Sequence, residues 1–159
     1  MRPTTDKAKE GLFNILQNRI NFTELEVLDL FCGTGNISFE FQSRGVRHTH
    51  SVDVSSKCIA FVKETMAKLG CTNADVVRSD VPRFVRNAYR TWDLIFADPP
   101  YDLPDHEALT RLILSERLLR PNGMLIMEHP AEIELSHNEE HLETRRYGRV
   151  HFSFFASEA

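Results

Sequence analysis

Segments typical of β-strands and segments typical of α-helices alternate along almost the whole of this 159-residue chain, and no other feature constrains its fold as strongly. Apolar residues that favour strands are concentrated at residues 25–31, 48–54, 74–78, 92–97 and 124–128. Apolar positions at helical spacing occupy the intervals between them. This order predicts strand–helix–strand crossovers and therefore a mainly parallel sheet with helices packed on its faces.

Two more strand candidates close the chain, at residues 142–146 and 150–155, with Tyr147-Gly148-Arg149 as a hairpin turn between them. The predicted fold class is therefore α/β: a Rossmann-like, doubly wound, mainly parallel seven-stranded sheet with an antiparallel C-terminal hairpin. We expect it to form a single domain over residues 1–159. Pro121-Asn122-Gly123 predicts a turn before the strand at 124–128. The predicted helices are a first one N-capped by Thr4 or Thr5, then 36–43, 55 or 56 to 69, 81–89 and 105–119.

Composition excludes several classes of protein. No stretch approaches the roughly 18 apolar residues of a membrane span, and the first residues lack the apolar run of a secretory signal. Three cysteines without metal-ligand spacing indicate a reducing cytoplasmic compartment. We therefore expect a cytoplasmic monomer that binds neither membrane nor metal. The net charge of −4 argues mildly against nucleic acid as a partner, although a local basic face can coexist with a negative total.

The first predicted strand ends in a loop with two glycines, Gly33 and Gly35, where backbone can approach a ligand closely. A dinucleotide site would have a third glycine at position 38, which is Ser38, so that fingerprint is incomplete. Asp29, just before the loop, would repel a phosphate. A carboxylate there suits a cationic ligand, and S-adenosyl-L-methionine carries an ammonium group and a sulfonium.

Two further acids stand at the ends of the next two predicted strands. Asp53 can accept both ribose hydroxyls of an adenosine, and Asp80 can accept the adenine amino group. Either acid taken alone is more readily interpreted as a helix cap or as part of a solvated loop. Together with the glycine loop, the three acids predict one pocket for S-adenosyl-L-methionine. The predicted cofactor-binding residues are Asp29, Phe31, Gly33, Gly35, Asn36, Asp53, Val54, Asp80 and Val81.

The tetrapeptide Asp98-Pro99-Pro100-Tyr101 follows the most apolar predicted strand. Consecutive prolines fix the backbone and remove N–H donors, so that carbonyl oxygens face the cleft. The Asp98 carboxylate and the Pro99 carbonyl could bind the two hydrogens of an exocyclic base amine. They would favour the transition state as positive charge builds on nitrogen. Tyr101 can stack on the base. These four residues are the predicted catalytic set, and no metal is required.

These residues resemble the class I S-adenosylmethionine-dependent methyltransferases, and more narrowly the bacterial small-subunit (16S) ribosomal RNA guanine-N2 methyltransferase family. That family joins an Arg-Pro-Thr-Thr-Asp start, a Gly-x-Gly loop and an Asp-Pro-Pro-(Phe/Tyr) motif. Here Arg2-Pro3-Thr4-Thr5-Asp6 stands near the start, and the resemblance covers almost the whole chain. It implies methylation of one guanine in ribosomal RNA, met as free RNA or as a small-subunit assembly particle.

Some alternatives stay open. The resemblance implies a basic segment before Arg2, where this sequence has only Met1, so either the chain is truncated or this member lacks the segment and binds RNA less well. Adenine-N6 DNA and protein-glutamine methyltransferases more often carry Asn before Pro-Pro. An inactive cofactor-binding module would keep the same fold. Side chains that could contact phosphate, or be merely solvated, are Arg2, Lys7, Arg83, Arg86, Arg90, Arg145, Arg146 and Arg149. For Arg86 and Arg90 we favour a solvated helix face.

Three other side chains could suggest chemistry on their own. His48 and His50 alternate on one predicted strand, and without a third ligand nearby we interpret them as strand residues. Cys32 lies in the glycine loop without an activating base, so we do not expect it to act as a nucleophile.

Overall fold

The computed structural model describes residues 5–157, which form one seven-stranded sheet with helices on both faces. The strands lie in the order β3-β2-β1-β4-β5-β7-β6. The first five are parallel to one another, and β7 runs antiparallel to both of its neighbours. This confirms the predicted fold class. The strands are β1 (Glu26–Leu30), β2 (His48–Asp53), β3 (Ala74–Arg78), β4 (Trp92–Ala97), β5 (Leu119–Pro130), β6 (His141–Tyr147) and β7 (Val150–Ala156).

Residues 5–157 form five α-helices, of which the first precedes β1 and the other four connect successive parallel strands. Several begin at a side-chain cap that the sequence supplies. Thr5 accepts a hydrogen bond from the Ala8 N–H and so confirms one of the two predicted N-caps. Arg2, Pro3 and Thr4 of the N-terminal motif lie outside the described residues. A short 3₁₀ helix at Phe22–Glu24 was not predicted. The helices are α1 (Asp6–Gln17), α2 (Asn36–Ser43), α3 (Ser56–Lys68), α4 (Val81–Asn87) and α5 (His106–Ser115).

Two apolar cores lie on opposite faces of the sheet because side chains alternate along each strand. On one face α1 and α2 pack over Val27, Leu94 and Ile126. On the other face α4 and α5 pack over Leu28, Ile95 and Leu125. Within residues 5–157 no helix has the length and apolar character needed to span a bilayer.

The point where strand order reverses lies between β1 and β4. Leu30 near the end of β1 has Val52 of β2 on one side and Ala97 of β4 on the other. In open parallel sheets, ligands bind beyond the carboxyl ends of the strands at such a point. The glycine loop, Asp53 and Asp98 all follow these strand ends, so the topology brings the predicted motifs to one edge.

The boundary between α5 and β5 differs from the prediction. The helix ends at Ser115 rather than at residue 119, since Arg117 adopts a left-handed conformation with φ 57°. Leu119 then already pairs with Trp92, so β5 begins five residues earlier than predicted. Pro121-Asn122-Gly123 lies inside this strand, at an irregularity in its pairing with β4, rather than before it. The prediction was wrong because long-range pairing decides this boundary.

Candidate active site

A cavity of about 740 Å³ opens at the carboxyl ends of the parallel strands. Its size lies within the range of small-molecule sites. It brings together three of the nine predicted cofactor residues and all four predicted catalytic residues. Thr5 at the start of α1 and Arg149 in the turn of the C-terminal hairpin close its rim. Its wall comprises Thr5, Phe31, Asp53, Val54, Ser55, Asp98, Pro99, Pro100, Tyr101, Asp102, Glu128, His129, Pro130, Arg149 and Val150.

The loop after β1 has an unusual backbone. Phe31 has a φ of 61°, a conformation that non-glycine residues adopt at a cost of about 1–3 kcal/mol. Gly33 and Gly35 also have positive φ angles, of 55° and 89°. A Cβ atom at Gly35 would lie 2.9 Å from the Phe39 ring, so a side chain is excluded there. Strain concentrated in one loop beside a cavity is typical of a binding site.

Asp53 ties this loop to the start of α3. Its Oδ2 accepts a hydrogen bond from the Gly33 N–H, and its Oδ1 accepts one from the Ser55 N–H, each at 2.9 Å. The residue is only 5% exposed, yet it lies on the cavity wall. Each carboxylate oxygen has a further lone pair after these bonds. The arrangement therefore presents two fixed acceptors to the cavity and fits a vicinal diol such as a ribose.

Asp29 lies beneath the loop rather than on the cavity wall. It is 2% exposed, and the Ser38 hydroxyl donates to its Oδ2 at 2.6 Å. Ser38 also lies 2.7 Å from the Ser51 hydroxyl. Burial raises the pKa of Asp29 to about 7, and the negative charges of Asp53 and Glu128 add to the shift. Ser38, which occupies the position of the third glycine of a dinucleotide motif, therefore holds the Asp29 carboxylate in place.

Besides Asp29, the predicted cofactor residues that are not on the cavity wall are Gly33 and Gly35 of the loop and the three residues Asn36, Asp80 and Val81. Asp80 is exposed and caps α4, with its Oδ1 accepting from the Arg83 N–H at 2.9 Å. Val81 belongs to the apolar core. Asn36 accepts a hydrogen bond from the Lys9 ammonium at 2.9 Å. Capping was the alternative that the sequence left open for Asp80, and cofactor contacts by these three residues stay predictions.

The Asp-Pro-Pro-Tyr segment continues the path of β4 into the cavity. The Asp98 N–H donates to the Leu30 carbonyl at 3.3 Å, which holds its backbone beside β1. Pro99 is buried, whereas the side chain of Tyr101 is 53% exposed. The Pro100 carbonyl accepts from the Leu103 N–H at 3.1 Å. A carboxylate, a rigid carbonyl and an exposed aromatic ring therefore stand at one opening.

Two polar wall residues, Glu128 and His129, were missed from the sequence. Both are buried at the end of β5. The His129 Nδ1 donates to the Pro130 carbonyl at 3.0 Å, because a carbonyl oxygen can only accept. Its Nε2 lies 2.7 Å from the Ser153 hydroxyl, and burial lowers the pKa of His129. The sequence pattern that could have identified Glu128 is the one that identified Asp53, namely an acid at the end of a predicted parallel strand.

The arginines divide between the two ends of the sheet. Arg149 lies on the cavity wall. Arg90 lies at the opposite end, 3.3 Å from Glu26 and with its guanidinium 5.6 Å from the centre of the Trp92 ring. Arg90 therefore lies away from the cavity, because its partners stand at the amino ends of the strands.

The remaining candidate side chains have structural surroundings. His48 and His50 are strand residues of β2, as predicted, and His48 contacts Asp75 at 2.9 Å. Burial raises the pKa of the Cys32 thiol far above its usual range, so it holds its proton. In the part of the chain that the structure describes, no group of three or more His, Cys, Asp and Glu side chains could hold a metal ion.

The sheet order with its antiparallel β7, together with the cavity at the reversal point, defines a class I methyltransferase fold. The same fold occurs in the 16S rRNA N2-guanine methyltransferase RsmC of T. thermophilus, solved with AdoMet and guanosine. That structure superposes with a TM-score of 0.78 at 18% identity, over 98% of this chain and 44% of the other.

The chain belongs to the family described as conserved hypothetical protein 95, whose model matches residues 1–156. YlbH of Bacillus subtilis (strain 168), named provisionally as an rRNA methyltransferase, is 38% identical over 138 residues. That match covers 84% of this chain and 74% of YlbH. Ribosomal RNA small subunit methyltransferase D of Escherichia coli (strain K12) is 31% identical over 130 residues, covering 80% of this chain and 61% of that protein. These relatives confirm the family predicted from the motifs.

Proposed function

We propose that this chain transfers a methyl group from S-adenosyl-L-methionine to the exocyclic N2 nitrogen of a guanine in small-subunit ribosomal RNA. The observation that carries this proposal is the presence of Asp53 and the whole Asp-Pro-Pro-Tyr segment on one cavity at the reversal point of the sheet. The names of the family members and of the structural neighbour support the substrate class. The chain would act as one cytoplasmic domain, as a monomer, on ribosomal RNA or a small-subunit particle.

The cofactor half of the site would be built around Asp53. When bound, S-adenosyl-L-methionine supplies a methyl group made electrophilic by its sulfonium. Asp53 would accept the ribose hydroxyls with oxygens that Gly33 and Ser55 already orient. Val54, exposed beside it, offers an apolar contact for the adenine. In its ionised form Asp29, whose pKa burial raises to about 7, would add negative potential beneath the loop, where it favours a cationic ligand over an anionic one.

The acceptor half would be built around Asp98. Its carboxylate and the Pro99 carbonyl would accept the two N2 hydrogens. These contacts would pull the nitrogen toward a pyramidal geometry and aim its lone pair at the methyl group. Tyr101 would stack on the guanine. As the nitrogen–carbon bond forms and the carbon–sulfur bond breaks, positive charge builds on nitrogen. Asp98 would stabilise that charge and accept the departing N–H proton.

The experiment that tests the proposal is mass spectrometry of 16S ribosomal RNA nucleosides. RNA from a strain lacking the gene is compared with RNA from the same strain carrying the parent gene or the Asp98→Ala gene. We expect one N2-methylguanosine to disappear on deletion and to return with the parent gene alone. An unchanged level of N2-methylguanosine, with loss of methyladenine in DNA or methylglutamine in protein instead, would contradict the guanine assignment.

A further inference from the structure

Arg149 brings a fixed positive charge to a cavity that is otherwise acidic. Among the described residues that line the cavity, it is the one guanidinium or ammonium group. The acids on the same wall are Asp53, Asp98, Asp102 and Glu128. An arginine keeps its charge at any pH at which the protein is folded. A ligand with an anionic group would therefore be repelled by much of the wall and attracted at Arg149.

A two-residue turn fixes the position of Arg149. Tyr147 pairs with Val150 in the β6–β7 hairpin, which leaves Gly148 and Arg149 as the turn. Gly148 has a φ of 63°, as the first central residue of a type I′ or II′ turn requires. Val150 also pairs with Pro130 at the end of β5. The backbone of Arg149 is therefore held beside the carboxyl end of β5.

The hairpin is also held against α1. The Tyr147 ring packs so closely on Gly11 that a Cβ atom at Gly11 would overlap the ring. Arg19 at the end of α1 forms an ion pair with Glu143 on β6. A turn that is ordered before a ligand arrives loses less conformational entropy when it binds.

The strand order places Arg149 on the acceptor side of the site. Asp53 ends β2, Asp98 follows β4, and Arg149 precedes β7, which lies two strands beyond β4 and four beyond β2. At about 4.8 Å per strand, the start of β7 is about 10 Å from the path of β4 and about 19 Å from that of β2. A guanosine with its amine at Asp98 extends over a similar length to its phosphate.

The Arg149 side chain is exposed at the rim. Within residues 5–157, the ion pairs of this hairpin join Glu143 to Arg19 and Arg145, and none involves Arg149. Guanidinium groups bind phosphate through paired N–H donors. We propose that Arg149 binds a backbone phosphate flanking the target guanosine and so holds the nucleotide while its amine lies at Asp98. This inference rests on the proposed function and gives the RNA backbone a defined contact, which positions the base without reading it.

The test neutralises one phosphate of the RNA at a time. Reconstituted small-subunit particles carry a methylphosphonate linkage on the 5′ or the 3′ side of the target guanosine, whose position comes from the nucleoside analysis above. A 2′-O-methyl group on the preceding sugar prevents strand cleavage, and particles with that sugar and an ordinary phosphate are the reference. We expect the parent chain to lose about 10- to 100-fold in kcat/KM with one of the two linkages, the scale of a hydrogen bond to a charged group.

Arg149→Met removes the guanidinium and should lower kcat/KM on the ordinary phosphate by about the same factor. The sensitive methylphosphonate should then cost less than about two-fold more, since both changes remove one interaction. The slope of log kcat/KM against log salt concentration should become shallower by about 0.7, the value for one contact with single-stranded RNA. Affinity for S-adenosyl-L-methionine should stay within about two-fold.

The matched control is Arg145→Met, the same change in charge at an exposed residue of the same hairpin that is not on the cavity wall. This variant should keep the full loss of kcat/KM on the sensitive methylphosphonate.

The outcomes separate the two proposals. If the parent chain tolerates both methylphosphonates, or if Arg149→Met remains as sensitive to them as the parent, the role of Arg149 is overturned alone. A large loss of cofactor affinity in Arg149→Met would overturn it as well, because the residue would then serve the cofactor. Absence of any transfer by the parent chain to the reference particles overturns the proposed function and this inference with it.

Discussion

The two ends of the strands both carry acidic residues, but they hold them with different partners. At the amino end, Arg120 Nη1 lies 3.2 Å from Glu26 Oε2 and 3.0 Å from Asp93 Oδ2. Arg90 adds a second guanidinium at 3.3 Å from Glu26. The Asp93 carboxylate also accepts the Glu26 N–H at 2.9 Å. The Glu26 and Asp93 carboxylates are therefore each paired with a guanidinium group.

At the carboxyl end, the hydrogen bonds that hold Asp53 and Asp29 come from neutral donors. Asp53 is held by two backbone N–H groups and Asp29 by a hydroxyl. Neutral donors orient a carboxylate without cancelling its charge, so the negative potential is left for a cationic ligand. The cost falls on stability, because burial raises the pKa of Asp29 to about 7. Ion pairs at the amino end of the strands thus stabilise the fold, whereas acids at the carboxyl end are arranged to bind a ligand.

The largest expected effect is on transfer at the carboxyl end. Asp98→Ala should lower single-turnover methyl transfer by about 10²–10³-fold, the usual loss when a preorganised group that stabilises transition-state charge is removed. Affinity for S-adenosyl-L-methionine should change only a few-fold, since Asp98 is assigned to the acceptor. The measurement is single-turnover transfer beside a calorimetric binding isotherm. Transfer at the parent rate would show that another group orients the nitrogen.

The next effect is on cofactor affinity. Asp53→Ala should weaken binding of S-adenosyl-L-methionine by about 1.5–3 kcal/mol, the scale of hydrogen bonds to a charged group. The comparison variant is Glu26→Gln at the opposite end, which should leave binding within error. Isothermal calorimetry measures both. Equal losses in the two variants would mean that the effect is on stability rather than on the site, and the distinction between the ends would fail.

The third prediction concerns the stability cost at Asp29. Its folded pKa of about 7 lies above its ordinary value of 3.8. Because the fold disfavours the ionised form, the free energy of unfolding should fall as pH rises from about 4 to about 7, and level off above that. Asp29→Asn keeps an acceptor for Ser38 and should remove this fall. The free energy of unfolding of Asp29→Asn minus that of the parent should be about 1–3 kcal/mol larger at pH 8 than at pH 4.

Urea unfolding at several pH values measures this difference. Ser115→Ala, at an exposed position far from the cavity, is the control for nonspecific effects of pH on the parent curve. The same Asp29→Asn variant should bind S-adenosyl-L-methionine less tightly. If it gained stability and lost no affinity, Asp29 would have no part in attracting the cofactor.

Much of the fold followed from local sequence signals. The strands β3 and β4 and the helix α2 have the predicted bounds, because turn residues or apolar runs mark both of their ends. The start of β5 was not predictable in this way. It depends on the left-handed conformation of Arg117 and on pairing with Trp92, and neither leaves a local pattern.

The site was predictable where a motif coincides with a strand end. Asp53 and Asp98 were placed on one cavity because parallel strands converge at their carboxyl ends. The role of Asp80 could not be predicted from the sequence, since an aspartate before a helix gives the same pattern whether it caps the helix or binds a ligand. Glu128 was missed because it belongs to no motif, although like Asp53 it stands near the end of a parallel strand and lines the cavity.

The smallest expected effect is at the amino end. Arg120→Met should lower the free energy of unfolding at pH 7 by about 1 kcal/mol, a value typical of a partly exposed ion-pair network. The loss is moderated because Arg90 still contacts Glu26. The hydrogen bond from Arg120 holds the pKa of Glu26 below its usual value, so this stabilisation is present above about pH 4.5 and is lost as pH falls through the lowered value. The free energies of unfolding of parent and variant, measured in urea, should therefore converge as pH falls through the lowered pKa of Glu26.

The matched control is Arg111→Met, which removes an exposed ion pair with Glu107 on α5 and should cost less than about 0.5 kcal/mol. Neither arginine variant should alter cofactor affinity or methyl transfer, because their partners lie away from the cavity wall. A drop in transfer for Arg120→Met at unchanged stability would show that the amino end communicates with the site. The two ends of the sheet would then be one coupled network, and the separation of stability from binding would not hold.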